Sequence, residues 1–443
     1  MKKILCFIVL FLIITETACS SKTGKNNKQL NCVLDNAEVC EAVNVDCEIS
    51  EFGTEQGKSL YLRPHGDEIS GVWISSPALE NFDEHTKAHI EFYLYIDGDS
   101  FGYGDVEVVN NENLTVDSGL PKGKWNRINF DATVYRRNGR QCVFIGLING
   151  AGEKVYISGL TVSDDVYSVE NCFGGDILWQ LEPARTQLEA YVWVTEGGKV
   201  IVIDGGDDVD ADRLLKLIRT YKNEVDGWFI SHFHSDHTGA LIKILTDEEI
   251  QIKNLYFDYD TEEDFQSYDG EFTYINKLRQ AIEKNRRKVG NVIGTSRGDE
   301  FMFDRLKFKV LNDAYFGAEN VGNNSSVVFK AETAGKSVLF LGDLASYGDV
   351  LLEDEYFITE AMGCEIVQMA HHGQNGVSDR FYNSLKNIKV CLYPAPKWLF
   401  NCDALGQGIN SSPEYKSLHT RELMREKGVR YTFSSAKGRV KLG

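Results

Sequence analysis

The chain has 443 residues, of which 42% are hydrophobic and 26% are charged, which is an ordinary globular composition with room for two or three domains. Its formal net charge of −19 argues against a general nucleic-acid-binding surface, because contacts to phosphates need clustered lysines and arginines. This charge does not exclude cleavage of a phosphodiester inside a metal-lined pocket.

The first nineteen residues have the pattern of an export signal. A start with two lysines precedes eleven apolar residues, 4–14, which are too few to cross a bilayer as a helix. Small residues then lead to Cys19. The pattern resembles a bacterial lipoprotein signal, which implies a signal peptide at residues 1–19, an acylated Cys19, a tether at residues 20–29 and a membrane-anchored protein of the cell envelope. Glu16 departs from that pattern, and a plain secretory signal is the alternative; both predict export.

Eight cysteines remain beyond Cys19. An exported protein can form disulfides, and Cys32, Cys40 and Cys47 are close enough in sequence for one local bridge. No two cysteines have the C-x-x-C spacing, so the sequence predicts neither a cysteine zinc site nor thioredoxin-type chemistry.

Residues 30–165 predict an all-β, jelly-roll-like sandwich. Short apolar or alternating runs recur between turn-forming residues, as sandwiches require. The stretch 122–128 (K-G-K-W-N-R-I) resembles galactose-binding-like and carbohydrate-binding jelly rolls, which implies a glycan as a partner. Four aromatic side chains could stack on a sugar or pack in the core: Trp73, Trp125, Tyr95 and Tyr103. The predicted strands lie near residues 60–62, 71–74, 88–96, 105–109, 125–130, 142–147 and 154–160.

A boundary is predicted at residues 164–171, because strands alternate with helices in residues 172–443. Residues 191–195 and 199–203 flank a Gly-Gly turn and predict a hairpin. The stretch 210–221 is amphipathic with acids at its start, which indicates a helix. A strand at 254–257 and a helix at 274–288 follow.

Residues 231–240 read S-H-F-H-S-D-H-T-G-A and form the densest cluster of chemistry in the chain. His232 and His234 are two apart, so that their rings leave an extended segment on the same side. Asp236 and His237 add a carboxylate and a third imidazole. Imidazoles and carboxylates are the ligands that zinc, iron and manganese accept, so the run predicts a metal site.

The H-x-H-x-D-H run resembles the signature of the metallo-β-lactamase-fold hydrolases. That family has an aspartate after an earlier strand, which Asp204 matches, and a later strand-end aspartate, which Asp343 matches. A final histidine follows another strand, and His371-His372-Gly373 supplies it. The resemblance covers residues 172–443 and implies an αβ/βα fold with a binuclear metal site.

The resemblance assigns roles to these residues. His232 and His234 would hold one divalent ion, Asp236, His237 and His372 the other, and Asp343 would bridge them. Asp236 would also take part in catalysis. Asp204 would orient a ligand, or be only a turn aspartate. His371 would stabilise transition-state charge or donate a proton, although the roles of His371 and His372 can be exchanged. The ions would be zinc, with manganese as the alternative.

The sequence departs from the family at one point. No histidine stands between His237 and His371, where most members have the third ligand of the first metal. The stretch 322–329 (G-N-N-S-S-V-V-F), the H-H-G and the final segment with His419 resemble the branch of the competence DNA-uptake protein's hydrolase domain. Phosphorylcholine esterases share a similar H-x-H-x-D-H and H-H-G framework. The resemblance to the competence branch implies that Asn323 takes the empty position and that His419 acts near the pocket. The alternatives are a plain turn at Asn323 and a helix-surface position for His419.

Residues 258–271 carry seven acids and three aromatics and predict a solvated loop, or a pocket lip that favours a cationic substrate group. Taken together, the sequence predicts an exported phosphodiesterase that uses a metal-activated hydroxide on a small-molecule or cell-envelope substrate. The alternatives are an ester or lactone hydrolase with the same site, and a surface carbohydrate-binding lipoprotein whose hydrolase domain is weakly active.

Overall fold

A computed structural model describes residues 38–54, 58–65, 70–97, 102–104, 120–148, 154–163, 172–258, 272–317 and 320–443. The predicted signal, tether and acylated Cys19 lie outside these residues. The predicted boundary at 164–171 and all of the acidic stretch except Asp258 also lie outside them. No helix in the described part of the chain is long and apolar enough to cross a membrane.

The N-terminal region consists of antiparallel strands in two sheets. The first sheet has the order β1 (Glu38–Val43), β4 (Ser70–Ser75), β9 (Arg140–Ile148) and β6 (Gly102–Gly104), and β8 (Tyr135–Arg137) also pairs with β9. The second has the order β2 (Val45–Ser50), β3 (Ser59–Pro64), β10 (Lys154–Ser163), β5 (Lys87–Asp97) and β7 (Trp125–Thr133). The predicted strand-rich region is therefore confirmed, while the jelly-roll connection stays a prediction.

The two sheets share one apolar core. Along β5 every second side chain is buried, which is the alternation expected of a sheet with one covered face. These side chains pack with Val72, Ile74 and Ile145 of the other sheet. Trp73 is only 2% exposed, which agrees with the core alternative and not with stacking on a sugar.

Residues 172–443 form two further sheets. In chain order, the strands of the first are β11 (Ile177–Gln180), β12 (Ala190–Val194), β13 (Val200–Asp204), β14 (Glu224–Val225), β15 (Gly227–Phe229), β16 (Gln251–Phe257), β17 (Val289–Gly294) and β25 (Val440–Leu442). The second contains, in spatial order, β18 (Glu300–Phe303), β19 (Leu306–Val310), β20 (Phe329–Thr333), β21 (Lys336–Phe340), β22 (Ile366–Gln368), β23 (Val390–Tyr393) and β24 (Tyr431–Ser434).

An aromatic core joins these two sheets. Phe229 of β15 stacks on Tyr256 at 4.4 Å and on Phe308 of the facing sheet at 4.5 Å between ring centroids. Tyr191 of β12 contacts Phe340 of β21 at 5.1 Å. Because the inward faces of both sheets are apolar, the polar groups of the site lie beyond the strand ends.

Helices cover the outer faces and complete four layers, which confirms the αβ/βα prediction. Three pack on the first sheet: α1 (Ala211–Tyr221), α2 (Ser235–Asp247) and α3 (Phe272–Lys284). The predicted helix 274–288 ends earlier, since Asn285 leaves it and a 3-10 turn follows. On the side of the second sheet lie α4 (Val321–Asn324), α5 (Tyr347–Leu351), α6 (Glu355–Ala361), α7 (Asp379–Ser384), α8 (Lys397–Phe400) and α9 (Ser417–Glu426).

Among the described residues, Cys40 and Cys47 do not form a bridge with each other, while a bridge to Cys32 stays a prediction. Cys40 and Cys47 are both free thiols, and Cys32 lies outside the described residues. Cys40 instead lies beside Cys142 of β9, with 3.5 Å between the two sulfur atoms.

Candidate metal centre

Four strand ends bring the predicted residues together. Asp204 is the last residue of β13, and His232 follows the end of β15 by three residues. Asp343 and His371 likewise follow β21 and β22 by three residues each. β13 pairs in parallel with β15, and β21 with β22, so their carboxyl ends lie at a common edge of each sheet.

The histidine run is an extended loop that becomes a helix. His234 is the residue before α2 and has extended backbone angles, while Asp236 and His237 lie in the first turn of that helix. His232 Nε2 lies 3.0 Å from His234 Nδ1, and the rings of His232 and His237 are 4.0 Å apart. The loop therefore turns three imidazoles toward one point.

The converging atoms form two groups that share Asp343. One group contains His232, His234 and Asp343, and its ligand atoms lie within 4.8 Å of one another. The other contains Asp236, His237, His372 and Asp343 within the same distance. All of these side chains except His234 and Asp236 are buried. The structure thus brings together all six residues that the sequence predicted as metal ligands.

Hydrogen bonds to Nδ1, on the side away from the centre, orient the rings of His237 and His372. His237 Nδ1 donates to Asp204 Oδ2 at 2.9 Å, and His372 Nδ1 donates to the Pro394 carbonyl at 2.9 Å. Since Nδ1 carries the proton in each case, Nε2 of the neutral ring offers its lone pair to the centre. There His237 Nε2 lies 3.3 Å from Asp343 Oδ1.

Asp204 anchors the histidine loop through hydrogen bonds to Ser231 and His237. Its side chain is fully buried and accepts from the Ser231 amide at 2.8 Å, the Ser231 hydroxyl at 2.7 Å and His237. Its backbone φ of +53° lies in the left-handed region, which aspartate and asparagine enter more readily than most residues. These contacts match the orienting role that the resemblance implies for Asp204, and that role stays a prediction.

The charges of the second group are strongly coupled. Burial would lower the pKa of His237, but Asp343 and Asp204 outweigh it and raise that pKa well above its ordinary value. Burial acts against His372 as well, yet Asp343 and Asp236 raise its pKa to about 9. The imidazoles in turn overcome the burial of the carboxyls: they lower the pKa of Asp343 well below its usual range and that of Asp236 to about 2. The group thus concentrates ionised carboxylates and imidazoles that attract protons or other cations.

His371 differs from its neighbour. It lies at the edge of the centre with a side chain that is 21% exposed, and its Nε2 is 3.7 Å from Asp343 Oδ2. Its Nδ1 lies 3.2 Å from the Asn375 carbonyl, and burial lowers its pKa. His371 and His372 both have positive φ, and Gly373 follows at +83° with its Cα facing the Tyr393 ring. This tight turn leaves the His371 ring partly exposed and the His372 ring buried.

Asn323 lies in the short helix α4 (Val321–Asn324), and its replacement of the missing family histidine stays a prediction. Its side chain is 5% exposed, and its Oδ1 has no hydrogen-bond partner. Its carbonyl accepts from the amide of Ser326, whose hydroxyl accepts from the Asp343 amide at 3.0 Å. The segment therefore supports the turn that carries Asp343.

His419 lies in α9, where its imidazole bonds to both carboxylate oxygens of Asp379 at 2.9 Å. Both side chains are about half exposed. These contacts place His419 in a surface pair with Asp379 rather than in either ligand group. The helix-surface alternative fits this position, and the catalytic role of His419 stays a prediction.

Glu189 is the residue that sequence reasoning missed. It is fully buried, and with Asp204 and His237 it forms a third group of potential ligand atoms within 4.8 Å. Burial raises its pKa well above the ordinary range. The only sequence signal was one acid directly before five buried strand residues of β12.

Comparisons with known proteins agree with this geometry. The family model described as the metallo-beta-lactamase superfamily matches residues 186–390. The uncharacterized protein YcaI of Escherichia coli (strain K12) is 22% identical over 225 residues, and the match covers 50% of this chain but only 26% of that protein.

Two solved structures are similar to part of the chain. The metallo-beta-lactamase fold protein YhfI from Bacillus subtilis has 11% identity and a TM-score of 0.40, and the match covers 60% of this chain and 99% of that one. Zn(2+)-bound PqqB from Methylobacterium extorquens has 10% identity and a TM-score of 0.37, with the same coverage of both chains. The match to the family model shows that residues 186–390 carry the fold of the metallo-β-lactamase superfamily, whose members are generally metal-dependent hydrolases or related enzymes.

Proposed function

We propose that this protein is a binuclear metal-dependent phosphodiesterase. The observation that carries the proposal is the convergence of six predicted ligand side chains into two groups that share Asp343. The donor set fits divalent ions, because imidazole nitrogens and carboxylate oxygens suit zinc and manganese. Two buried polar atoms in the second group have no hydrogen-bond partner, His237 Nε2 and Asp343 Oδ1. A cation between them would satisfy both.

The two groups differ in their ligands, so we expect them to differ in the metal ion that each prefers. The first has two imidazoles and a shared carboxylate, while the second has two imidazoles and two carboxylates. We expect zinc in the second group and a weaker, oxygen-richer position in the first, where manganese competes. When bound, two such ions lower the pKa of a water molecule and screen negative charge on an attacked phosphorus or carbonyl centre.

The chain's own side chains would then position the substrate and move protons. In neutral His371, Nδ1 must carry the proton that is shared with the Asn375 carbonyl, because a carbonyl oxygen only accepts. Nε2 therefore faces the centre as an acceptor, where it would take a proton from the attacking water and pass it to the leaving oxygen. Asp204 keeps His237 in the tautomer whose Nε2 is free.

Metal content and hydrolysis test this proposal together. Purified protein should hold close to two divalent ions and hydrolyse bis(p-nitrophenyl) phosphate with added Zn²⁺ or Mn²⁺. Asp343→Ala should abolish turnover while the protein stays folded. Asp176→Ala is the matched control, since Asp176 is also a buried aspartate but bonds to the Glu196 amide and the Thr333 hydroxyl outside the centre. Unchanged hydrolysis by Asp343→Ala would refute the proposal, and turnover of a phenyl ester alone would favour the ester-hydrolase alternative.

A second candidate function is glycan binding by the N-terminal region, and an aromatic row favours it. Tyr61, Tyr156, Tyr95 and Trp125 are direct cross-strand partners on β3, β10, β5 and β7. Adjacent rings lie 4.9 to 5.9 Å apart, and each side chain is partly exposed. Phe52, which is 42% exposed, stacks on Trp125. The row is about 14 Å long, from the spacing of strands.

The charge of Arg127 beside this row is neutralised by Glu91, which favours a neutral sugar. Arg127 forms a two-pronged bond with Glu91, and Arg63 lies over the Tyr61 ring at 5.6 Å. Affinity electrophoresis of the full chain in xylan, mixed-linkage β-glucan and starch tests the candidate. Tyr95→Ala and Trp125→Ala should lose retardation, whereas Tyr135→Ala on the other sheet should keep it. Absence of retardation in all three gels would contradict a neutral-glycan role.

Export to the cell envelope is proposed from the sequence of residues 1–19. Metabolic labelling with palmitate should mark the wild-type protein and not Cys19→Ala. Labelling of neither protein, together with a mature N-terminus after cleavage, would point to the plain secretory signal.

A further inference from the structure

A buried polar bridge connects the two sheets behind the metal centre. Glu189 immediately precedes β12, and Gln368 is the last residue of β22. Gln368 Nε2 donates to Glu189 Oε2 at 2.9 Å, and both side chains are fully buried. Burying polar groups between two apolar sheets is costly unless they are hydrogen-bonded, so this bridge indicates a structural role.

Gln368 holds the turn that carries Asp343. Its Oε1 accepts from the Leu341 amide at 2.6 Å, and its Nε2 also donates to the Gly342 carbonyl at 3.1 Å. These two residues directly precede Asp343. The Gly342 carbonyl also accepts from the His371 amide at 3.0 Å, so the same side chain is linked to the His-His turn.

Glu189 holds the other side of the centre. Its amide donates to the Asp236 carbonyl at 3.0 Å. Its carboxyl group lies with Asp204 and the His237 ring within 4.8 Å, and its Oε1 has no hydrogen-bond partner. Glu189 therefore contacts Gln368, which holds the Asp343 turn, and also lies against Asp236 and His237 on the other side of the centre.

We infer that Glu189 is a positioning residue that fixes the distance between the Asp236–His237 ligands and the Asp343 turn. The inference rests on the proposed metal centre and adds a residue outside the ligand set. Removal of the side chain should loosen the Asp343 turn and let the two ligand sets separate. Supports of this kind typically change metal affinity by about 10–100-fold.

Three variants separate this role from simple destabilisation. Glu189→Ala removes the bridge, whereas Glu189→Gln keeps its length and an oxygen that accepts from Gln368. Asp176→Ala is the matched control, because Asp176 is also fully buried and bonds to the Glu196 amide and the Thr333 hydroxyl instead of the centre. If Glu189→Ala does not fold, Gln368→Ala cuts the same bridge from the other side.

The measurements are Zn²⁺ affinity by chelator competition and amide hydrogen exchange of the metal-free protein. We expect about 10–100-fold weaker binding in Glu189→Ala, rescue in Glu189→Gln, and faster exchange at the Leu341 amide. Wild-type affinity in Glu189→Ala, or an equal loss in Asp176→Ala, would overturn the role of Glu189 alone. A wild-type protein that binds no Zn²⁺ would overturn the metal centre itself, and the inference with it.

Discussion

Replacement of Asp204 by asparagine should weaken metal binding without breaking the fold. Asparagine has the same shape and also tolerates the left-handed backbone at this position. Asp204 Oδ1 accepts from the Ser231 amide, so the asparagine oxygen must take that place. The new amide group then faces the Ser231 hydroxyl and His237 Nδ1, where Oδ2 accepted before.

An amide N–H at that position forces a change in His237. Nδ1 can no longer donate and becomes the acceptor, so the ring proton moves to Nε2, the atom that faces Asp343. A protonated Nε2 cannot bind a metal ion. We expect Zn²⁺ affinity to fall by about 10–100-fold. The weakened contacts of a buried charged acceptor should lower the free energy of unfolding by about 3 kcal/mol.

Chelator competition and urea unfolding measure these two effects separately. The control is Asp226→Asn, because Asp226 is another buried carboxylate whose partners, the Val200 amide and the Lys253 ammonium, lie outside the centre. Asp226→Asn should lose stability and keep its metal. A folded Asp204→Asn protein that binds Zn²⁺ as tightly as wild type would refute the reasoning about the tautomer.

Further predictions concern pH, a turn, the core and the order of metal loss. Burial would raise the pKa of Asp226, yet Lys222 and the Val200 amide lower it from 3.8 to about 2. As pH falls from 3.8 to about 2, the unfolded chain takes up this proton before the folded protein does. The free energy of unfolding should therefore fall across that window. Asp226→Asn should remove that dependence, at a cost of about 1–2 kcal/mol at neutral pH after allowance for screening, measured by urea unfolding. Gly373→Ala should lower turnover by at least about tenfold, because an added Cβ would lie 2.3 Å from the Tyr393 ring, and steady-state kinetics would show it. Phe229→Ala should cost about 3–5 kcal/mol by thermal unfolding, since its ring stacks on two others. Chelator titration should remove metal in two steps, and a single step would contradict the unequal ligand groups.

Much of the C-terminal half was predictable because its signals are local. The H-x-H-x-D-H run predicted a metal loop from residue types and spacing alone, and the stretch 210–221 predicted α1 from its amphipathic pattern with acids at the start. Asp343 was identified through the family resemblance, which expects an aspartate after a later apolar strand. These features need no knowledge of which segments meet in space.

The remaining features depend on tertiary contacts. β1 and β2 were not predicted because their side chains are mostly half-exposed, so that neither strand shows an apolar run. Glu189 was missed since only the folded chain brings it to Gln368, 179 residues away. The sequence also could not distinguish Trp73 from Trp125: both stand in strands, and only sheet packing buries the first and leaves the second half-open.

Local charge favours the phosphodiester over a neutral carbonyl substrate, even though the whole chain carries a net charge of −19. Two divalent ions would exceed the charge of the two carboxylates that face them, Asp236 and Asp343. In a buried centre such an excess is screened less than charges at the surface, so it acts on a bound group more strongly than distant acids do. Once a metal-activated hydroxide is counted, that excess falls to about one positive charge, which a monoanionic diester would match and a neutral lactone carbonyl would not. The surface acids would instead lower the encounter rate of polyanions, which is consistent with a small substrate rather than DNA.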